Sequence, residues 1–143
     1  MQLPPLTRSV GSAERSMRAL LERKLQNVNL SFAEWTALAF TSAAPLKSDE
    51  IVQRQIAGHV IADAAGGHDS IDNLVRAGLI AKSQGDVLAH TEDGKAVFLR
   101  LSGEVEGITR NLYGDLPIDD LEVTHRTLTE ISKRAGSLLA RPS

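Results

Sequence analysis

The sequence has no cysteine, few aromatic residues and no long hydrophobic segment. The lack of cysteine excludes disulfide bonds, thiolate metal ligands, cysteine nucleophiles and thiol redox sensing. No apolar run approaches the ~18–20 residues that a membrane-spanning helix needs, so we expect no membrane partner. The N-terminal residues also lack the charged head and apolar stretch of a secretory signal. Together these absences predict a cytoplasmic protein.

The composition is that of an ordinary globular domain. The chain has 143 residues, of which 42% are hydrophobic and 24% are charged, and its net charge is -2. These values exclude a mainly disordered chain and predict a single domain over residues 1–143. The charge is unevenly distributed, because residues 1–47 have six basic and three acidic side chains, whereas residues 48–100 have five basic and eight acidic ones.

Apolar residues recur at helical spacing near both ends of the chain. The N-terminal stripe consists of Val10, Met17, Leu20, Leu21, Leu25 and Val28. Two further stripes follow Thr91 and Pro117. We expect residues 8–29 and 95–140 to form long dimerisation helices, because amphipathic terminal helices in so small a fold need a partner surface. The alternative is that they pack only on the core of their own chain.

The segment 31–94 predicts three shorter helices and a hairpin. Ser31 and Glu34 have the spacing of a capping box, which begins the first of these helices. Ser48 is expected to cap the second helix. The apolar residues expected on the inner face of that second helix are Ile51, Ile56, Val60 and Ile61.

The third of these helices is expected to end at Gly78. Its predicted inner face consists of Ile71, Leu74, Val75 and Leu79. Gly66 and Gly67 mark either a preceding turn or a weakened first turn of the helix. The segment from Leu79 to His90 predicts a two-stranded hairpin with a glycine turn. The expected fold class is therefore mostly α with a small β-hairpin wing: a winged helix-turn-helix over residues 31–94, flanked by the long N- and C-terminal dimerisation helices.

Three stretches of the chain occur in the order of a known family. Leu30–Leu38 looks like a Leu-Thr-x-x-x-Trp/Phe-x-x-Leu second helix, Ile71–Ile80 like the end of a recognition helix, and Thr91–Val97 like a Leu-Thr-x-x-Gly helix start. With these motifs the sequence resembles the multiple antibiotic resistance regulator (MarR) family from about Ser16 to Leu139. The resemblance implies a homodimeric transcription regulator, whose fourth helix enters the major groove of double-stranded DNA and whose wing contacts the flanking minor groove.

The resemblance also implies regulation by a small-molecule effector. In the family such a molecule binds at the junction between the dimerisation helices and the DNA-binding domain. It changes the distance between the two DNA-binding helices of the dimer. Applied to this chain, it implies a repressor of a pseudo-palindromic operator that an effector relieves. Trp35 and Phe98 are the residues expected to line the effector pocket; the alternative is that both are core residues.

The chain departs from the family pattern at the wing. The family has an arginine in its wing, whereas the hairpin here offers Ser83–Asp86, with Lys82 as its only cation. His90 replaces the leucine that precedes the threonine in the family. Because most non-specific affinity comes from neutralised phosphates, these departures predict weaker DNA binding than that of a basic family member.

The expected DNA-binding residues lie on three segments of the predicted reading domain. They are Arg54, Gly66, His68, Asp69, Asn73, Arg76, Lys82 and Gln84. The amide of Asn73 can bond an adenine edge in two places, Asp69 can accept from cytosine N4, and Arg76 is placed to hold a phosphate. The alternative for this helix face is a solvated polar surface, and that alternative is the favoured one for Asp72.

Other chemistry has little support in the sequence. The four histidines lack the spacing of a metal site, and no nucleophile elbow or P-loop is present, so we expect neither an enzyme nor a metal or cofactor. The rival hypothesis is a winged-helix dimer that acts as a scaffold for protein–protein interaction, with weak or no DNA binding. The acidic middle segment and the missing wing arginine favour this rival, and the order of the motifs favours the regulator.

Overall fold

The computed structural model describes residues 1–142, which form six α-helices and one antiparallel sheet. The helices are α1 (Leu6–Gln26), α2 (Phe32–Phe40), α3 (Ser48–Ala57), α4 (Ala64–Arg76), α5 (Glu92–Tyr113) and α6 (Ile118–Leu139). The strands are β1 (Leu46–Lys47), β2 (Ile80–Ser83) and β3 (Val87–His90). The mostly helical fold class with a small wing is confirmed. No helix within residues 1–142 combines the length and the hydrophobicity that a membrane span requires.

The chain divides into two compact units between Glu106 and Gly107. The first unit contains α1–α4, the sheet and most of α5, and the second contains the end of α5 and α6. The single domain expected for residues 1–143 and the winged helix-turn-helix limits of 31–94 stay predictions.

The core of the first unit draws on helices and strands alike. Its buried apolar residues are Leu25, Leu30, Ala37, Leu38, Ile51, Val52, Ile71, Leu74, Leu79, Ile80, Leu88 and Leu101. Burying each large aliphatic side chain contributes roughly 1.5–3 kcal/mol. Because α2, α3 and α4 all contribute to this one cluster, α4 is packed firmly against α2 and α3.

The inner face of α3 differs from the prediction. Ile51 is buried, but Ile56 is 39% exposed, and the other buried side chains are those of Ser48, Val52 and Gln55. These four positions follow helical spacing around one face, and Ile56 lies about 100° beyond Gln55. Val60 and Ile61 lie after the helix has ended, where both are half-buried.

The sheet has three strands in the order β1–β3–β2, although the predicted wing has two. Leu46 pairs with Leu88 in β3, and this pairing places Lys47, with extended backbone, at the N-cap of α3. Ser48, the predicted cap, is instead the first residue of the helix, and its hydroxyl donates to the carbonyl of Asp86 at 3.5 Å. A strand of two residues is too short to show alternation in the sequence.

Local capping signals place the starts of α2 and α4. Ser31 Oγ accepts from the backbone N–H of Glu34, and the Glu34 carboxylate accepts from that of Ser31, which confirms the capping box. Asp63 caps α4 by accepting from Gly66 N–H at 3.0 Å, so the two glycines form a first helical turn. A Cβ on Gly67 would lie 2.8 Å from Ile61 Cδ1, and this crowding explains why glycine is present there.

The Thr-x-x-Gly stretch joins the wing to α5. Thr91 Oγ1 donates to the Gly78 carbonyl at 2.6 Å and accepts from Gly94 N–H at 3.0 Å. A Cβ on Gly94 would overlap the carbonyl of Leu79, so only glycine permits this approach. The motif therefore has a structural role, because it anchors the segment after α4 against the start of α5.

Candidate nucleic-acid interface

Gln55 links the three helices that support the candidate reading surface. Its fully buried Nε2 donates to the Ala33 carbonyl at 2.9 Å and to Thr36 Oγ1 at 3.1 Å, both on α2. The same nitrogen lies 3.4 Å from Ser70 Oγ on α4. A buried amide with partners on two neighbouring helices fixes their relative positions, because releasing it would leave unpaired polar groups.

The outward face of α4 carries most of the predicted DNA-binding residues. His68, Asp69, Asn73 and Arg76 are exposed there, whereas Gly66 is half-buried in the first turn. The buried positions of the helix are Gly67, Ser70, Ile71 and Leu74. Val75, which was predicted to face inward, is 37% exposed, because it lies one position beyond the centre of the buried face.

Asn73 is held by two contacts within the chain. Its Nδ2 donates to Glu34 Oε2 at 2.9 Å, and its Oδ1 accepts from the Arg76 guanidinium. Glu34 is the buried carboxylate that also completes the capping box of α2. Both polar ends of Asn73 are therefore engaged in the free protein, and the side chain connects α4 to the N-terminus of α2.

The wing is short and nearly neutral. Gln84, Gly85 and Asp86 form the turn between β2 and β3, and the last two have positive φ angles of 74° and 59°. Lys82 Nζ lies 3.4 Å from Asp86 Oδ1. The cation expected to contact DNA is thus paired with an acid of the same hairpin.

Arg76 and Lys82 come together at one cleft. This open cleft of about 380 Å³ is also lined by Asp72 and Val75 and lies between α4 and the wing. Arg54 is exposed on α3, where its guanidinium carbon lies 5.8 Å from the centroid of the Phe40 ring. The predicted residues therefore occupy α3, α4 and the wing, and the structure brings the α4 and wing cations to a common surface.

A cluster of aromatic rings surrounds the predicted effector residues. Trp35 and Phe98 stack with their centroids 5.6 Å apart, and His90 tilts against Phe98 at the same distance. His90 Nε2 lies 2.7 Å from the Leu38 carbonyl, which can only accept, so this nitrogen carries the hydrogen. All three rings are half-buried.

Sequence reasoning missed two residues of these sites. Glu34 was recognised as a cap but not as the partner of Asn73, which is 39 positions away. His90 replaces the leucine of the family pattern, and this substitution is the signal in the sequence that points to its place beside the aromatic pair. Within residues 1–142, no three His, Asp or Glu side chains are arranged to hold a metal ion.

Comparison with known proteins defines the fold class. The sequence matches no protein family model and no curated protein. Among solved structures, the reduced form of MarR from E. coli is 19% identical, with 91% of this chain and 95% of that chain covered and a TM-score of 0.70. CouR from Rhodococcus jostii RHA1, bound to p-coumaroyl-CoA, is 14% identical, with coverage of 89% and 91% and a TM-score of 0.73.

A MarR family protein of Mycobacterium tuberculosis, in complex with p-aminosalicylic acid, is 18% identical, with coverage of 90% and 98% and a TM-score of 0.68. The chain thus has a winged-helix fold. More narrowly, its fold is that of the MarR-family regulators over nearly its whole length. At these identities the likeness establishes the fold, and function is argued separately below.

Proposed function

We propose that this chain is a dimeric, cytoplasmic transcriptional regulator that represses a pseudo-palindromic operator in double-stranded DNA. The observation that carries the proposal is the exposed face of α4 on a winged-helix support. The major groove of B-DNA admits an α-helix, and a helix-turn-helix places its second helix there. The sheet formed by the short strand β1 and the β2–β3 hairpin then lies where a wing contacts the flanking minor groove.

Individual roles follow from the chemistry of each side chain. Asp69 accepts from cytosine N4 in the major groove, and Arg76 holds a phosphate near the end of α4. Gly66 and His68 lie near the N-terminus of α4, where the positive end of the helix dipole favours a phosphate, and the Gly66 N–H itself is bonded to the Asp63 side chain. Asn73 can read an adenine in competition with its contacts to Glu34 and Arg76, which already use one amide hydrogen and one lone pair of its oxygen.

The cations set the expected salt dependence. Each subunit offers four exposed basic residues on α3, α4 and the adjoining strands, namely Lys47, Arg54, Arg76 and Lys82. About six phosphate contacts in a dimer give a slope of log K against log salt near −5. A slope shallower than about −2 on a cognate operator would contradict this count.

The homodimer is supported by apolar side chains that remain uncovered in a single chain. On α1 these are Leu6, Val10 and Met17, and none of the residues of α6 is buried. A two-fold dimer is the simplest closed assembly that covers such surfaces, and it also supplies the two readers that a palindrome needs.

The effector is proposed to be an aromatic acid that binds beside Trp35 and Phe98 and relieves repression. Stacked rings of this kind offer a flat apolar surface to another ring. The ligands of the CouR and Mycobacterium tuberculosis structures, p-coumaroyl-CoA and p-aminosalicylic acid, both contain an aromatic ring, and the second of them is an aromatic acid.

A second candidate function is a winged-helix dimer scaffold that binds protein. The specific observation in its favour is the ion pair between Lys82 and Asp86, which offsets the only wing cation. Asp69 and Asp72 add negative charge to the outward face of α4. These acids would favour a basic protein partner over phosphate.

A binding assay on the DNA upstream of the protein's own gene separates the two functions. The regulator predicts a retarded complex at low salt that Arg76→Ala weakens by roughly tenfold or more, since two phosphate contacts per dimer are lost. Arg100→Ala is the matched control, because it removes one exposed arginine from α5 and leaves α4 intact. An intact dimer that fails to bind any upstream fragment at low salt would favour the scaffold.

A further inference from the structure

Glu34 is the only charged side chain that is buried within residues 1–142. Its two oxygens have separate partners, because Oε1 accepts from the backbone N–H of Ser31 at 3.0 Å and Oε2 accepts from Asn73 Nδ2 at 2.9 Å. A buried charge is costly unless it is hydrogen-bonded, so both contacts are held strongly. The capping box fixes the first oxygen, and the second is thereby held in place against α4.

Asn73 lies between a group that can only accept and a group that can only donate. The carboxylate of Glu34 has no hydrogen to give, and the guanidinium of Arg76 has no lone pair to offer. The amide nitrogen must therefore face Glu34 and the amide oxygen must face Arg76, which is the arrangement in the structure. These three side chains form a relay of hydrogen bonds from α2 to the outward face of α4.

Arg76 has an alternative partner on its own helix. Asp72 lies four positions earlier, a spacing at which acids and arginines pair on helix surfaces, and both residues line the cleft between α4 and the wing. No ion pair joins them in the part of the chain that the structure describes, and the guanidinium donates to Asn73 instead. A bond to a neutral amide leaves the positive charge uncompensated and most of the N–H donors free for a phosphate.

Resting on the proposed regulator, we propose that Glu34 is a positioning residue for DNA binding. It acts through Asn73 and holds the Arg76 guanidinium ready for a phosphate and apart from Asp72. An arginine that is ordered before binding loses less conformational entropy in the complex, and the complex is tighter for that reason. The capping box predicts only the first role of Glu34, since the contact with Asn73 spans 39 positions of the chain.

Glu34→Gln reverses the relay while keeping the shape of the side chain. Glutamine is also accepted in a capping box, so its oxygen stays with the Ser31 N–H and its NH2 group faces Asn73. The Asn73 amide then turns its oxygen inward, and its nitrogen meets Arg76, where donor faces donor. This mismatch falls at the exposed end of the relay. Arg76 leaves for solvent or for Asp72, and the fold is kept.

Operator binding separates positioning from a change of charge. Glu34→Gln removes one negative charge, which by itself would tighten binding to DNA. The relay predicts the opposite, about fivefold weaker binding, from roughly twofold for each of the two arginines in a dimer. The slope of log K against log salt stays the same, because Arg76 still reaches phosphate, whereas Arg76→Ala makes the slope shallower by about two. Glu50→Gln, the same change at an exposed position of α3, is the control and should bind at least as tightly as the native chain.

NMR relaxation of the Arg76 Nε–H group tests the relay in the free protein. We expect a rigid group in the native chain and a mobile one in Glu34→Gln. The double variant with Glu34→Gln and Asn73→Asp exchanges the amide and the carboxylate, so each donor again meets an acceptor and the rigidity returns. A purely structural role of Glu34 would not give this rescue. Equal mobility of Arg76 in all three chains would overturn the proposal.

The outcomes are separable from those of the proposed function. A native chain that binds its operator no more tightly than Glu34→Gln does retains the regulator and refutes the positioning role. Weaker binding of the variant with an unchanged salt slope, together with loss and rescue of Arg76 rigidity, supports both. A native chain that binds no DNA refutes the regulator and the positioning role together, even where the NMR signals show that the relay orders Arg76.

Discussion

Replacement of Asn73 by alanine should destabilise the fold even in the absence of DNA. The variant removes the donor to Glu34 Oε2, and that carboxylate is only 9% exposed. Hydrogen bonds to charged groups contribute about 1.5–3 kcal/mol, and the exposed side of this contact reduces the expected loss to about 1–2 kcal/mol. The exposed bond from Arg76 adds little, since surface pairs are worth about 0–1 kcal/mol.

Urea unfolding at fixed protein concentration measures the loss. With a slope near 2 kcal/mol/M, the midpoint is expected to fall by roughly 0.5–1 M. Fixed concentration is needed because dimerisation shifts the apparent stability. Asp72→Ala, on the neighbouring exposed position, is the matched control and should stay within about 0.5 kcal/mol of the native chain.

A double-mutant cycle isolates the contact from the other roles of Glu34. Glu34→Ala also breaks the capping box, but the interaction energy with Asn73→Ala should still be about 1 kcal/mol, as for other contacting pairs. If the Asn73→Ala protein unfolds with the native midpoint and loses only operator binding, Asn73 is a base-reading residue and the reasoning from Glu34 is wrong.

Two further predictions concern the wing and the aromatic cluster. Asp86→Asn frees Lys82 while keeping a residue type that tolerates the positive φ of this turn, so operator binding at low salt should tighten by about two- to tenfold; a gel-shift titration that shows no gain would mean that the ion pair does not limit DNA binding. Titration with aromatic acids should change the fluorescence of Trp35, the only tryptophan, and no change with any candidate acid would remove the support for an effector at this cluster.

The parts of the fold that the sequence predicts well depend on neighbours close in the chain. The capping box of Ser31 and Glu34 involves residues three positions apart, and so does the contact from Gly94 N–H to Thr91. Such signals can be recognised in a single sequence because the helix itself brings the two residues together. The types of the donor and acceptor residues and their spacing are therefore enough to predict these capping hydrogen bonds.

The errors occurred where a neighbour comes from elsewhere in the fold. Strand β1 forms because Leu46 meets Leu88, and two residues carry no periodic signal of their own. Ile56 and Val75 are apolar and lie at the edges of their buried faces, where the packing of adjacent helices decides exposure. Apolar character alone predicts that these side chains lie on or next to the buried face of their helix. The tertiary contacts decide which of the two applies.

The candidate site shows the same limit in its electrostatics. From the sequence, Lys82 and Arg76 count as cations available to phosphate. In the structure Lys82 pairs with Asp86, and Arg76 donates to Asn73. Binding of Lys82 to phosphate must replace its contact with Asp86, and the acid at position 86 then remains near the DNA backbone. Non-specific affinity comes almost entirely from phosphate contacts. We therefore expect the non-specific complex to be weakened more than the specific one, so that operator choice depends on the base-facing side of α4.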